Sequence, residues 1–153
     1  MQEMGNYNIG ETIMKITDEE IFLHSNSIIN DEEFEHIFNC TFNLRYSQKQ
    51  YDLIEKYKYY FLSPNEKKEP TKIYCNNVVR NAFNNFFNTL LELFGGCEWF
   101  IGSDDNFFEI DYSKKQKAPD EFQKDIQKIK NLSSACSNSY KDYRKSVKQE
   151  LEI

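Results

Sequence analysis

The apolar positions divide the chain into segments of different period. Residues 11–16 alternate weakly between apolar and polar side chains and predict a strand. Residues 17–29 fit either a short helix or a strand, with Ile21, Phe22, Leu23, Ile28 and Ile29 as the apolar positions. Over 31–43, Phe34, Ile37, Phe38 and Phe42 fall on one helical stripe. Ser47-Gln48-Lys49-Gln50 has the form of a capping box. It predicts a helix to about Leu62 carrying Tyr51, Ile54, Tyr57 and Phe61. Thr17-Asp18-Glu19-Glu20 and Asn30-Asp31-Glu32-Glu33 both read as helix starts, each with a capping residue followed by Glu at the third position. Pro64 and Pro70 bracket a charged loop.

The widest apolar stripe lies over 77–94, where Val78, Val79, Ala82, Phe83, Phe86, Phe87, Leu90, Leu91, Leu93 and Phe94 predict a central helix stopped by Gly95-Gly96. Residues 97–101 and 107–112 flank the turn-rich Gly102-Ser103-Asp104-Asp105-Asn106 and predict a hairpin. From Pro119, the positions Phe122, Ile126, Ile129, Ser133, Cys136, Tyr140, Tyr143 and Val147 repeat at intervals of four and three, a heptad seam. A continuous helix of that length spans about 50 Å. It would overhang a sphere whose radius of gyration is about 15 Å. Two readings stay open: a break near 131–134, where Ser and Asn lower helix propensity, or a seam whose small side chains admit another helix closely.

These segments predict an α+β fold, a single helix-dominated domain with a small antiparallel sheet and a long C-terminal helix. Residues 1–117 form its body and 118–153 the helix. The expected core is Phe34, Phe38, Ile54, Phe61, Val79, Phe83, Phe86, Leu90, Trp99, Ile110 and Ile126. Thirteen Phe and ten Tyr supply the buried area that the modest aliphatic content lacks.

Net charge is −6, but its layout says more than its size. Successive blocks 1–43, 44–80, 81–112 and 113–153 carry −8, +4, −6 and +4. No apolar run is long enough to span a membrane, and the first residues lack the charged and hydrophobic regions of a signal peptide. The expectation is a cytoplasmic protein. Cys40, Cys75, Cys97 and Cys136 have neither metal-ligand nor redox spacing and are expected as free thiols.

Candidate chemistry is sparse. His24 and His36 are the two histidines, so a Cys–His nucleophile pair is one reading, without any local signature to accompany it. Asp104, Asp105, Asn106, Glu109 and Asp111 are oxygen ligands in type, yet their spacing does not match a calcium loop. No cofactor or metal is expected. Lys56, Lys58, Tyr57, Tyr59 and Tyr60 mix bases with stackable rings, and Lys114, Lys115 and Lys117 form a basic cluster. The overall acidity disfavours nucleic acid as the partner.

The leading expectation is therefore a protein that binds another protein, as a toxin-neutralising immunity protein or a phage-encoded anti-defence inhibitor does. The partner would be a basic toxin or nuclease. The expected contact residues are Asp31, Glu32, Glu98, Asp104, Asp105, Glu109 and Asp111, converging on one surface. The first alternative is a helical assembly, a homo-oligomer joined through the seam at Ser133, Cys136, Tyr140, Tyr143 and Val147. The second is a Cys–His enzyme.

Overall fold

The computed structural model describes residues 9–62, 72–95, 100–102 and 105–153. Its elements run α1 (Ile9–Ile28), α2 (Asp31–Phe42), β1 (Arg45–Ser47), α3 (Gln48–Phe61), α4 (Asn77–Gly95), β2 (Phe100–Gly102), β3 (Phe107–Ile110), α5 (Lys114–Lys117) and α6 (Pro119–Leu151). The fold is α+β and helix-dominated, with one small antiparallel sheet in the order β1-β3-β2. Trp99, Pro64, Pro70, Gly96 and the first strand residues 97–99 lie outside the described residues.

Local chemistry sets most boundaries. At the start of α2, Glu33 N–H donates to Asn30 Oδ1 (2.9 Å) and Asn30 N–H donates to Glu33 Oε1 (3.1 Å). Ser47 and Gln50 form the same reciprocal box at α3 (3.1 and 2.8 Å). Each box satisfies amide donors that a helix end would otherwise leave open. Thr17-Asp18-Glu19-Glu20 does not start a helix. It lies inside α1, where the Thr17 hydroxyl donates back to the Ile13 carbonyl (2.8 Å). The expected strand at 11–16 is likewise part of α1.

Asp18 is buried and anchors that helix. Its two carboxylate oxygens accept from Cys75 N–H (2.7 Å) and Asn76 N–H (2.9 Å). Asn76 Oδ1 in turn accepts from Val78 and Val79 N–H and opens α4. The contact joins segments 57 residues apart.

Between α2 and α3, Leu44 takes a left-handed φ of 68°. The turn redirects the chain, and the Leu44 carbonyl accepts from Ile110 N–H (3.1 Å), seating β1 on β3. Tyr46 faces Phe108 across the ladder, and Phe100 faces Ile110. The three-residue β1 is absent from the sequence reading, which passes directly from one helix to the next.

The core is largely aromatic. Phe34 meets Tyr57 and Phe86 edge-on, with ring centroids 5.0 and 5.3 Å apart. Phe61, Phe83 and Phe87 continue the cluster. Of the expected core, Phe34, Phe38, Ile54, Phe61, Val79, Phe83, Phe86, Leu90 and Ile110 are buried, while Ile126 is half-buried. One polar knot lies inside. The Tyr74 and Tyr143 hydroxyls bond to each other, and Ser25, buried beside them, interacts with both and with Tyr57. Burial pushes all three phenols well above their ordinary pKa.

The last helix is unbroken from Pro119 to Leu151 and packs mainly on α4 and α2. The serines near its middle are crossing points. Ser133 Oγ donates to Thr41 Oγ1 (2.9 Å) with both residues buried, and Ser139 Oγ lies 3.1 Å from Thr89 Oγ1. Small side chains admit the neighbouring helices, and each hydroxyl finds a partner there.

Candidate protein-docking surface

The heptad seam of α6 is occupied by the chain itself. Ser133, Cys136, Tyr140, Tyr143 and Val147 are all buried, and buried positions recur from Phe122 to Leu151. The seam expected to join copies is core, because a regular apolar period does not distinguish an internal neighbour from an external one.

The carboxylates expected to converge are not brought together among the described residues. Asp31 and Glu32 stand at the N-terminus of α2, where acids complement the helix dipole. Asp105, Glu109 and Asp111 belong to the sheet region, which joins the far end of α2, about 18 Å along its axis. Three of them also have a local neighbour. Asp31 accepts from Arg144 Nε (2.8 Å) and from the Tyr140 hydroxyl. Burial would raise its pKa, yet these two bonds together with the Arg144 and Lys148 charges outweigh burial and hold the carboxyl below its ordinary value. Glu109 sits opposite Arg45 in the ladder. Asp111 accepts from Ser113 N–H (3.1 Å) and Oγ (2.6 Å). Glu98 and Asp104 lie outside the described residues.

In the basic segments Lys56, Tyr59, Lys115 and Lys117 are exposed. Tyr57 is buried, Tyr60 stacks on His24 at 4.4 Å, Lys58 pairs with Glu55 (3.1 Å) and Lys114 with Asp125 (3.2 Å). His36 Nε2 lies 3.9 Å from Cys40 Sγ, one helical turn along α2, and Gln50 Nε2 donates to the same sulfur (3.5 Å). Cys136 is buried, and burial pushes its thiol up to about 12. Cys40, Cys75 and Cys136 are free thiols; Cys97 is outside the described residues. Among the described residues no group of three or more His, Cys, Asp or Glu side chains is placed to hold a metal ion, and no helix is long and apolar enough to cross a membrane.

What remains conspicuous is α1. Its buried face is Asp18, Ile21, Phe22 and Ser25. On the other side, Ile9, Ile13, Ile16 and Leu23 fall within an arc of about 80° at 3.6 residues per turn. Their exposures are 80, 57, 49 and 57 %. Every residue from 9 to 17 is exposed, and the contacts these turns make with the body lie away from the stripe, where Lys15 Nζ is 3.8 Å from Glu152 Oε2 and Met14 and Lys15 line a pocket with Cys75, Glu150 and Leu151. Glu20 lies within the same arc and Glu19 beside it. A helix with apolar stripes on opposite sides has one side for its own core and one left over. The signal was legible: Ile9, Ile16 and Leu23 are seven residues apart, and Ile13 is placed between the first two as a heptad requires.

A second feature lies between α2 and α6. A groove of about 540 Å³ is lined by Asp31, Glu35, Phe38, Tyr140, Lys141, Arg144, Lys145 and Lys148, among others. Its floor is the edge of two buried rings, Phe38 and Tyr140. Its rim has four cations, Lys141, Arg144, Lys145 and Lys148, against two acids, Asp31 and Glu35. Asp31 is engaged by Arg144, whereas Lys141, Lys145 and Lys148 are exposed and form no ion pair among the described residues. The Arg144 guanidinium stacks on Phe22 at 4.4 Å, which accounts for its buried Nη1 having no hydrogen-bond partner. No protein-family model, curated protein or solved structure matches this chain.

Proposed function

We propose that this chain is a protein-binding module that docks on its partner through the free face of α1 and acts by occupancy. One observation carries the reading. Four aliphatic side chains on one helix face are exposed, directly opposite the face that holds the helix in place. Large apolar side chains aligned along an exposed helix are the signature of helix-in-groove recognition, in which anchors at intervals of three, four and seven enter a partner's apolar cleft. Glu19 and Glu20 beside those anchors favour a cleft with a cationic rim. An inhibitor that covers a basic surface of a toxin or nuclease is one form of this reading. The acids that matter are then those of α1 rather than those of the hairpin.

The test compares the native chain with I13D/I16D as affinity baits. Proteins held by the native bait are identified by mass spectrometry, purified and titrated against both forms by calorimetry. Burying two isoleucines contributes about 3 kcal/mol at the low end, or a factor of about 100 in affinity. The double variant is expected to lose at least that factor while keeping its helical circular dichroism. A partner that binds both forms equally tightly rules the reading out.

A further inference from the structure

We infer that the partner of α1 is a second copy of this chain, whose α2–α6 groove receives the stripe. The inference rests on the reading of α1 as a docking element and adds the identity of what it docks on.

Charge complementarity selects the groove. Segment 9–28 carries four acids and one lysine; Glu20 lies on the free face and Glu19 beside it. The groove presents Lys141, Lys145 and Lys148 around the rings of Phe38 and Tyr140, a cationic excess over the one acid there, Glu35, that no salt bridge among the described residues engages. Its volume, about 540 Å³, is that of a ligand pocket. It suits a few anchor side chains such as Ile13 and Ile16, with the carboxylates of the next turn meeting the lysine rim. The aliphatic stems of those lysines widen the apolar contact while their ammonium groups stay hydrated.

Geometry requires the groove to come from another molecule. Phe22, on the buried face of α1, packs edge-on to Tyr143 of α6 and carries Arg144, a groove residue, on its ring. The stripe is on the opposite side of the helix and faces away from its own groove. Pairing one α1 stripe with another is the weaker arrangement. In parallel register Glu20 meets its own copy, and like charges in a seam are repulsive. In antiparallel register Glu19 and Glu20 run beside Ile9 and Ile13 with no cation to meet. Because stripe and groove are different surfaces, every molecule can donate and accept at once, which makes the contact head-to-tail.

The test is the mass of the full chain by light scattering, from micromolar to several hundred micromolar, at low and high NaCl. Two variants accompany it: I13D/I16D, which spoils the stripe, and K145E/K148E, which spoils the groove. All four substituted residues are exposed, and circular dichroism verifies that both variants stay folded. The native chain is expected to exceed monomer mass with rising concentration and to fall back in high salt. Each variant alone is expected to remain monomeric. Mixed in equal amounts, they should form a one-to-one dimer and nothing larger, since the mixture holds intact stripes on one variant and intact grooves on the other. A native chain that stays monomeric throughout overturns the inference, and the α1 reading still stands if the bait captures a different protein through the stripe. Native assembly without recovery in the mixture also overturns it, since stripe-on-stripe contact gives that result.

Discussion

Both proposals need the free face of α1 to be unnecessary for folding, and this is measurable without knowing any partner. Consider two pairs of single substitutions on one helix: Ile13→Ala and Ile16→Ala on the free face, Ile21→Ala and Phe22→Ala on the buried face. Ile21 and Phe22 are 6 and 4 % exposed and belong to the core. Truncating such residues costs about 2–5 kcal/mol for Ile and about 3–5 kcal/mol for Phe, because the transfer term and the cavity term add. Ile13 and Ile16 are half exposed and do not pack against the core. Their truncation removes little tertiary contact, and alanine returns up to about 0.7 kcal/mol of helix propensity at each site. The expected change is within about 0.5 kcal/mol in either direction.

Urea denaturation followed by circular dichroism separates these outcomes. With slopes of about 1–3 kcal/mol per molar urea, a loss of 3 kcal/mol moves the midpoint by about 1 M or more. Free-face variants should overlay the native curve. A loss above about 2 kcal/mol at Ile13 or Ile16 would mean that part of the chain covers the stripe, and the docking argument would collapse.

The remaining predictions probe the interior and its ionisable groups. Ending the chain after Asn131 removes Ser133, Cys136, Tyr140, Tyr143, Val147 and Leu151 from the core, so the shortened protein should show no cooperative thermal transition by calorimetry. Tyr74→Phe and Tyr143→Phe should each cost about 1–3 kcal/mol by leaving a buried hydroxyl short of a partner. The double variant should cost less than the sum of the two, which a denaturation cycle will register. The Asp31 carboxyl is held below its ordinary pKa, so its contribution is present above about pH 3.9 and lost as pH falls through the lower, folded-state value. Asp31→Asn should therefore flatten the acid limb of a stability–pH profile and leave the alkaline limb alone. Timed alkylation with peptide mapping should modify exposed Cys75 well before buried Cys136, whose burial raises its pKa to about 12.

Much of the fold is written in short-range chemistry. The boxes at Asn30–Glu33 and Ser47–Gln50 specify helix starts within four residues, and the structure has them both. The stripe over 77–94 is wide enough to identify the central helix from period alone. α1 escapes such reading because its apolar residues lie on two sides. Ile9, Ile13, Ile16 and Leu23 on one face dilute the pattern set by Ile21 and Phe22 on the other, and a strand then matches as well as a helix. β1 escapes because three residues hold no period. It exists by virtue of the Leu44 turn and of β3, more than sixty residues away. The candidate site was less legible still. The sign of a sequence block carries no direction in space, so Asp31 ended beside Arg144 and Glu109 beside Arg45. The heptads of α6 were plain, but only the fold reveals that α4 and α2 fill them.

The uninterrupted α6 has a consequence for synthesis. Phe34 and Phe86 both lean on Tyr140, which emerges from the ribosome long after either ring. At translation rates of about 5–20 residues per second, the interval between making Phe34 and Tyr140 is on the order of 5–20 s. Throughout that interval the earlier helices lack the surface that will shelter their rings. A nascent chain of this design is sticky until α6 arrives, and holdase chaperones are well placed to occupy the α2 and α4 faces in the meantime.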